Sequence, residues 1–291
     1  MEAFAPAKVN LFLHVGAPGA DGYHPVCSLM MFADVGDTVS ISVDGELRFT
    51  VEGPFASELG VGGDNLVIRA RDALLAAAGA RGATPDLVLR KGLPIASGLG
   101  GGSSDAAATL RLIRDTLALD LDDEALAEIG RPMGADMAAC LRARPVVGTG
   151  RGDVLSSPLP LPDLNVVLVN PGRPSPTGAV YRAYDKAMAA QGANAPAWPS
   201  GFARARDVAA FLATTRNDLQ APAVALEPAI GEVLGRLAAE PETLLARMSG
   251  SGATCFALCA DRAGAAALAR RVELEYPEWW VRTCALGGAG H

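Results

Sequence analysis

The sequence predicts an α+β protein of two domains, on three observations. Strand-like runs and helical stripes mix in the N-terminal half without the regular strand–helix–strand rhythm of a doubly wound sheet. A proline-rich stretch, Pro158 to Asp163, follows a glycine-punctuated segment and marks an approximate boundary, giving domains 1–158 and 159–291. In the second half, two strands can pair across the SGSGA segment at residues 249–253 with helices behind them.

The elements follow from periodicity. Ala7, Val9, Leu11, Leu13 and Val15 alternate with Lys8, Asn10, Phe12 and His14, the period-two pattern of a strand buried on one side, so Lys8 and Asn10 project from one face. Further strands are expected over Thr38–Val43, Leu47–Val51 and Leu87–Leu89. A helix is expected from about Asp64, with Leu66, Ala70, Leu74 and Ala77 as its apolar stripe. Ala106, Leu110, Ile113 and Leu117 form the stripe of another, whose opposite side carries Arg111, Arg114 and Asp115. DDEALAEIG at 122–130 reads as a short helix with an acidic first turn and a glycine stop, and GADMAACL at 134–141 starts one close to Asp136. Beyond the boundary, strands are expected over Asn165–Asn170, Thr254–Cys259 and Trp280–Ala285. Helices are expected over Gly178–Ala190, Ala203–Ala213, Leu226–Ala239 and Gly264–Leu274, and Gly192–Gly201 as a mobile loop.

Bulk properties exclude several classes. A chain of 291 residues with 50% hydrophobic content buries a substantial core. A net charge of −7 with scattered lysines and arginines argues against nucleic acid or an anionic membrane as a partner. The first fifteen residues lack the basic and apolar regions of a secretory signal, and no run is long enough to cross a bilayer, so a cytoplasmic protein is expected. Cys27, Cys140, Cys255, Cys259 and Cys284 include no C-x-x-C and read as reduced, mostly buried thiols; with His14, His24 and His291 as the histidines, a histidine-based metal cluster is not expected.

The most informative stretch is Pro94, Ile95, Ala96, Ser97, Gly98, Leu99, Gly100, Gly101, Gly102, Ser103 and Ser104, which runs straight into the helical stripe from Ala106. The first N–H groups of a helix lack intrahelical partners and carry partial positive charge, so a glycine-rich approach into that end makes a phosphate site. Ser103 and Ser104 fit as N-cap or first-turn hydroxyls. A Gly/Ser linker is the alternative, but linkers are flanked by polar residues, whereas Leu93, Pro94, Ile95 and Leu99 are embedded here. The loop is not a Walker A motif, lacks the third glycine of the dinucleotide fingerprint, and has no HRD or DFG triplet elsewhere.

GLGGGSSDAA resembles the phosphate loop of the galactokinase, homoserine kinase, mevalonate kinase and phosphomevalonate kinase (GHMP) superfamily, in particular the branch that phosphorylates 4-diphosphocytidyl-2-C-methylerythritol (CDP-methylerythritol). Other segments resemble that branch in order: PAKVNLFLHV at 6–15, DGYHP at 21–25, DNLVIRA at 64–70, GADM at 134–137, PGRPSPTGAVY at 171–181, RND at 216–218 and SGSGATCFA at 249–257. Residues 183–213 and the chain ends carry little of it. The resemblance implies a ribosomal-protein-S5-like first domain, a ferredoxin-like second, and ATP with Mg²⁺ as donor; the sequence shows no cluster dedicated to the metal, and Ser104 is the one protein ligand it offers.

Phosphoryl transfer needs a phosphate cradle, a cation near the developing charge, and a group that takes the acceptor's proton. Lys8 and Asp136 match positions that the family uses catalytically. Taken alone, Lys8 fits a solvent-facing lysine and Asp136 a helix cap. The resemblance also places Asn10, Tyr23, His24, Thr177 and Tyr181 at the cytidine diphosphate substrate, with Tyr23 and Tyr181 stacking on the cytosine and His24 reading its edge. Asn65, Leu66 and Lys91 would approach the adenine side, although a helix cap and a surface lysine explain Asn65 and Lys91 nearly as well. Gly250 and Gly252 would line the cleft or form a plain β-turn. The chain departs from the family at Met137, Ala138 and Ala139, where a proline and an aromatic are usual, and at Ser97 and Asp153. Other kinases of the superfamily, or a nucleotide-binding protein without turnover, are the rival readings.

Overall fold

The structure, a computed structural model, describes residues 1–43, 45–59, 64–80, 82–187 and 192–287. The chain packs as two compact units, each discontinuous in sequence. The first holds Met1–Lys8, Val35–Ile95 and Gly100–Ala143; the second holds Val9–Asp34, Ala96–Leu99 and the chain from Arg144 onward.

The first unit takes the start of β1 (Glu2–Val15) and the end of β2 (Val26–Ser42), then β3 (Phe49–Glu52), α1 (Leu66–Ala77), β4 (Asp86–Arg90), α2 (Gly101–Thr116), α3 (Asp123–Gly130) and α4 (Met137–Arg142). β4 pairs antiparallel with β2, Thr38 facing Arg90, and parallel with β3, Phe49 facing Leu87. α2 packs between α1 and α4. Its Ala106, Ala107 and Ala108 are buried along with Leu110, Leu112 and Ile113, so small side chains let neighbouring helices come close on more than the expected stripe. α1 buries Ala70 and Leu74 as expected, but Val67 and Leu75 complete the buried face in place of Leu66, which is half-buried, and Ala77, which is exposed.

The second unit takes the rest of β1 and β2, then β5 (Val146–Thr149), β6 (Val154–Ser156), β7 (Leu164–Asn170), α5 (Thr177–Ala187), α6 (Ala205–Ala213), α7 (Gln220–Leu226), α8 (Ala229–Ala238), β8 (Thr243–Met248), β9 (Cys255–Cys259), α9 (Arg262–Glu275) and β10 (Trp280–Gly287). Strands follow the order β2, β10, β7, β9, β8, all antiparallel neighbours. Val167, Val169, Ala257, Leu268 and Val272 are among the side chains that fill its core. β8 and β9 form the hairpin expected across SGSGA.

Several expectations are corrected. β1 is buried on both faces from Ala5 to Val15, because its polar side chains meet partners instead of solvent: the Asn10 amide donates to Ser28 Oγ at 2.7 Å, and His14 Nδ1 to the Asn194 carbonyl at 2.8 Å. The helix expected from Leu226 begins instead at Ala229, with Pro228 at its N-cap, and a separate helix that the sequence did not suggest, α7, ends at Leu226. Residues 188–190 of the helix expected to end at Ala190 lie outside the described residues. The five cysteines are free and buried. No helix among the described residues is long and apolar enough to cross a membrane.

Candidate active site

In the first unit, α2 begins where the sequence places the phosphate loop. Gly100 is its N-cap at φ 63°, and the ladder opens with the Ser104 N–H donating to the Gly100 carbonyl at 2.9 Å. The amides of Gly101, Gly102 and Ser103 therefore precede the ladder and carry the positive end of the helix. The two serines divide their roles. Ser103 is half-buried, whereas Ser104 is buried and donates its hydroxyl to the Pro6 carbonyl at 2.7 Å. That bond ties α2 to β1 two residues before Lys8.

Lys8 Nζ lies 3.9 Å from Asp136 Oδ2. The surface-lysine alternative for Lys8 is thus excluded, since it is 6% exposed. Asp136 occupies the N-cap position of α4, yet its side chain makes no capping hydrogen bond, so the carboxylate is not spent on the helix. A Cβ on Gly100 would stand 2.8 Å from Lys8 Cε and 3.3 Å from Asp136 Oδ2. A Cβ on Gly134 would stand 3.2 Å from Asp136 Oδ1 and 3.4 Å from Ser103 Oγ. Amine, carboxylate, Ser103 and the mouth of α2 therefore converge.

Asn65 caps α1, accepting from the Val67 N–H at 2.9 Å, and Leu66 Cδ1 would lie 3.3 Å from a Cβ on Gly102. The start of α1 thus adjoins the start of α2. Within the same unit Pro94 is buried and Ile95 half-buried. Lys91 is not the surface lysine that the sequence allowed: its ammonium is buried against Asp37 and Asp105. Burial works against its charge, but the two carboxylates outweigh that and raise its pKa.

The middle of the glycine-rich loop, Ala96 to Leu99, belongs to the second unit. Ala96 is exposed and Leu99 fully buried, while the Ser97 carbonyl accepts the Thr254 N–H at 3.0 Å. Ser249 Oγ donates to the Gly98 carbonyl at 2.9 Å and accepts the Asn10 N–H at 3.1 Å. Gly98 is obligatory: its φ is 75°, and a Cβ would stand 2.3 Å from the Ser249 carbonyl oxygen. Asn217 Nδ2 donates to the carbonyls of Met248 and Gly250, each at 2.8 Å, fixing the SGSGA turn.

Also in the second unit, His24 is held at both ring nitrogens, Nδ1 donating to the Gly16 carbonyl at 2.8 Å and Nε2 lying 3.2 Å from Asp185 Oδ1. Its ring centroid is 5.0 Å from that of Tyr181, whose hydroxyl burial pushes up to about 12. Thr177 opens α5, with Oγ1 2.9 Å from Ser251 Oγ. Tyr23 is exposed, with the Arg151 guanidinium 4.0 Å over its ring, while Tyr181 has His24 as its ring neighbour. Asp185 escaped sequence reasoning, although Thr177, Tyr181 and Asp185 recur every four residues and share a helix face.

Residues 65–144 match the GHMP kinases N terminal domain and residues 202–278 the GHMP kinases C terminal domain. The chain is 57% identical over 287 residues to a 4-diphosphocytidyl-2-C-methyl-D-erythritol kinase of Caulobacter vibrioides, covering 98% of this chain and 99% of that one. It is 45% identical to the protein of the same name from Dinoroseobacter shibae, over 96% of this chain and 92% of that one. A crystal structure of 4-(cytidine 5'-diphospho)-2C-methyl-D-erythritol kinase superposes with a TM-score of 0.79 at 31% identity, covering 99% of this chain and 100% of that one. A homoserine kinase from Cytophaga hutchinsonii, 17% identical with a TM-score of 0.70 over 100% of this chain and 96% of that one, shares the fold.

Proposed function

The chain belongs to the 4-diphosphocytidyl-2-C-methyl-D-erythritol kinase family of the GHMP kinases, and from that membership we propose how its own residues carry the reaction. It is an ATP-dependent phosphotransferase that phosphorylates the 2-hydroxyl of CDP-methylerythritol, in the methylerythritol phosphate route to isoprenoid precursors.

The observation that carries the assignment of roles is the convergence of Lys8, Asp136 and the mouth of α2 around Gly100. The amides of Gly101, Gly102 and Ser103 hold phosphate oxygens of ATP. Asp136 accepts the proton of the attacking hydroxyl, and Lys8 stabilises the negative charge that develops on the attacking oxygen and the transferring phosphoryl group. Asn65 and Leu66 flank the nucleotide beside the helix mouth. In the second unit, Asn10, His24, Thr177, Tyr181 and Tyr23 take the cytidine diphosphate portion.

Among the described residues, no group of His, Cys, Asp and Glu gathers to hold a metal, so the fit is to a Mg²⁺ ion that keeps waters and leans on the nucleotide's phosphates. Such an ion would supply charge neutralisation at those oxygens; Ser104, or Ser103 beside Asp136, is the loop hydroxyl whose oxygen could reach it. The division at residue 158 is kept as a boundary in chain order between the two family segments, 65–144 and 202–278, although Val9–Asp34, Ala96–Leu99 and residues 144–158 pack with the second unit. The reaction is placed in the cytoplasm, where ATP is available.

The test is a turnover assay with labelled ATP, offering CDP-methylerythritol, homoserine and mevalonate in parallel. Product from the cytidine diphosphate alcohol alone supports the reading. Product from either of the other alcohols, or ATP binding without any product, refutes it.

A further inference from the structure

Behind the first turn of α2 lies a buried charge cluster that the reaction as described does not use. Lys91, which follows β4, extends its ammonium to Asp37 of β2 and to Asp105 of α2, the latter at 2.9 Å. None of the three side chains is more than 3% exposed. The other oxygen of Asp37 accepts the N–H groups of Gly92 and Leu93 at 2.7 and 2.9 Å. A Cβ on Gly101 would stand 3.3 Å from Lys91 Nζ and 3.5 Å from Asp37 Oδ2, so the cluster touches the residue that opens α2.

Stability alone is a poor account of this arrangement. Desolvating an ammonium and two carboxylates offsets much of their mutual attraction. Asp105 Oδ1 is buried without a hydrogen-bond partner, a further cost. The body of α2 needs no such anchor, since Ala106, Leu110 and Ile113 are wholly buried in apolar packing. The first turn is held less fully: Ser104 anchors it to the Pro6 carbonyl, but Gly101 and Gly102 offer no side chains to pack.

We propose that Lys91 is a positioning residue: by bridging Asp37 and Asp105 it ties β2, the backbone of residues 92–93 and the first turn of α2 into one register, and so aims the amides of Gly101, Gly102 and Ser103. This rests on the reading that those amides bind the nucleotide's phosphates. The amine acts through the two carboxylates and touches neither substrate.

The experiment compares Asp105→Ala, Asp105→Asn and Lys91→Met in the full chain, measuring KM for ATP, KM for CDP-methylerythritol and melting temperature, with kinetics well below melting. Asp105→Ala cuts the bridge to α2 while keeping the Lys91–Asp37 pair; at least a ten-fold rise in the ATP KM is expected, with the alcohol KM changed less than two-fold. Asp105→Asn keeps an oxygen for the ammonium and restores most of the ATP KM. Lys91→Met follows Asp105→Ala; if two facing carboxylates prevent it from folding, the Asp105 pair decides. A lowered melting temperature with an unchanged ATP KM in Asp105→Ala overturns the proposal, as does a parallel rise in the alcohol KM. Absence of ATP binding to the unmodified protein, measured by calorimetry, would instead overturn the phosphate reading on which the proposal stands.

Discussion

Lys8 and Asp136, far apart in sequence, come within 3.9 Å of each other beside a glycine that cannot carry a side chain. The separation is at the outer limit of an ion pair, which suits two groups that must both address a third atom. Asp136→Asn and Lys8→Ala are each expected to lower kcat by roughly two to four orders of magnitude, with ATP affinity retained. Single-turnover rates alongside nucleotide titration check this; a variant with wild-type turnover removes the corresponding role.

Gly100 makes a sharper prediction. Gly100→Ala asks a non-glycine residue to adopt φ 63° and places a methyl 2.8 Å from Lys8 Cε. The left-handed conformation alone costs about 1 kcal/mol, and the clash displaces the lysine. A modest drop in melting temperature together with a large drop in kcat is expected, and a fully active Gly100→Ala would contradict the geometry.

The two loop serines should separate cleanly. Ser104→Ala loses a buried hydrogen bond to the Pro6 carbonyl, worth about 1 kcal/mol of stability. Ser103→Ala loses a half-buried hydroxyl beside Asp136. Denaturant melts should single out the first and ATP kinetics the second.

Asp185 braces His24 from the fourth position after Tyr181. Asp185→Ala is expected to raise KM for CDP-methylerythritol several-fold and leave KM for ATP unchanged. An unaltered alcohol KM would show that His24 needs no support from α5.

His14 gives a pH dependence. Burial lowers its pKa below 6.5, against the pull of the Asn194 carbonyl bond, so between the folded and unfolded values the unfolded chain binds the extra proton. Its contribution to stability is present above about pH 6.5 and is lost as pH falls below that value. Melting temperature should therefore decline from pH 7 to pH 5, and less steeply in His14→Asn, which starts from a lower value because it loses this hydrogen bond.

Much of this was legible in the chain. Glycines running into an apolar stripe mark a helix mouth whatever the tertiary context, so Gly100 to Ser104 and α2 were found from local pattern. Lys8 and Asp136 needed the family resemblance, because a lysine on an alternating strand and an aspartate before a helix each have an ordinary explanation. The Asp37–Lys91–Asp105 cluster escaped because its partners are 54 and 14 residues apart and buried charges look like surface charges in sequence. The first part of β2 escaped because no polar alternation interrupts its buried run from Val26 to Ala33, a pattern that periodicity does not distinguish from a helix.

The interleaving of the two units in sequence bears on how the protein can be cut. A fragment beginning after Pro158 would lose Val9–Asp34, leaving β10 without the strand that faces it at Ala33 and Phe32. A fragment ending there would carry the orphaned halves of β1 and β2 with their apolar side chains bared. Neither piece is self-sufficient, so halves expressed separately from a gene split at that point should be insoluble, recoverable only when both are refolded together.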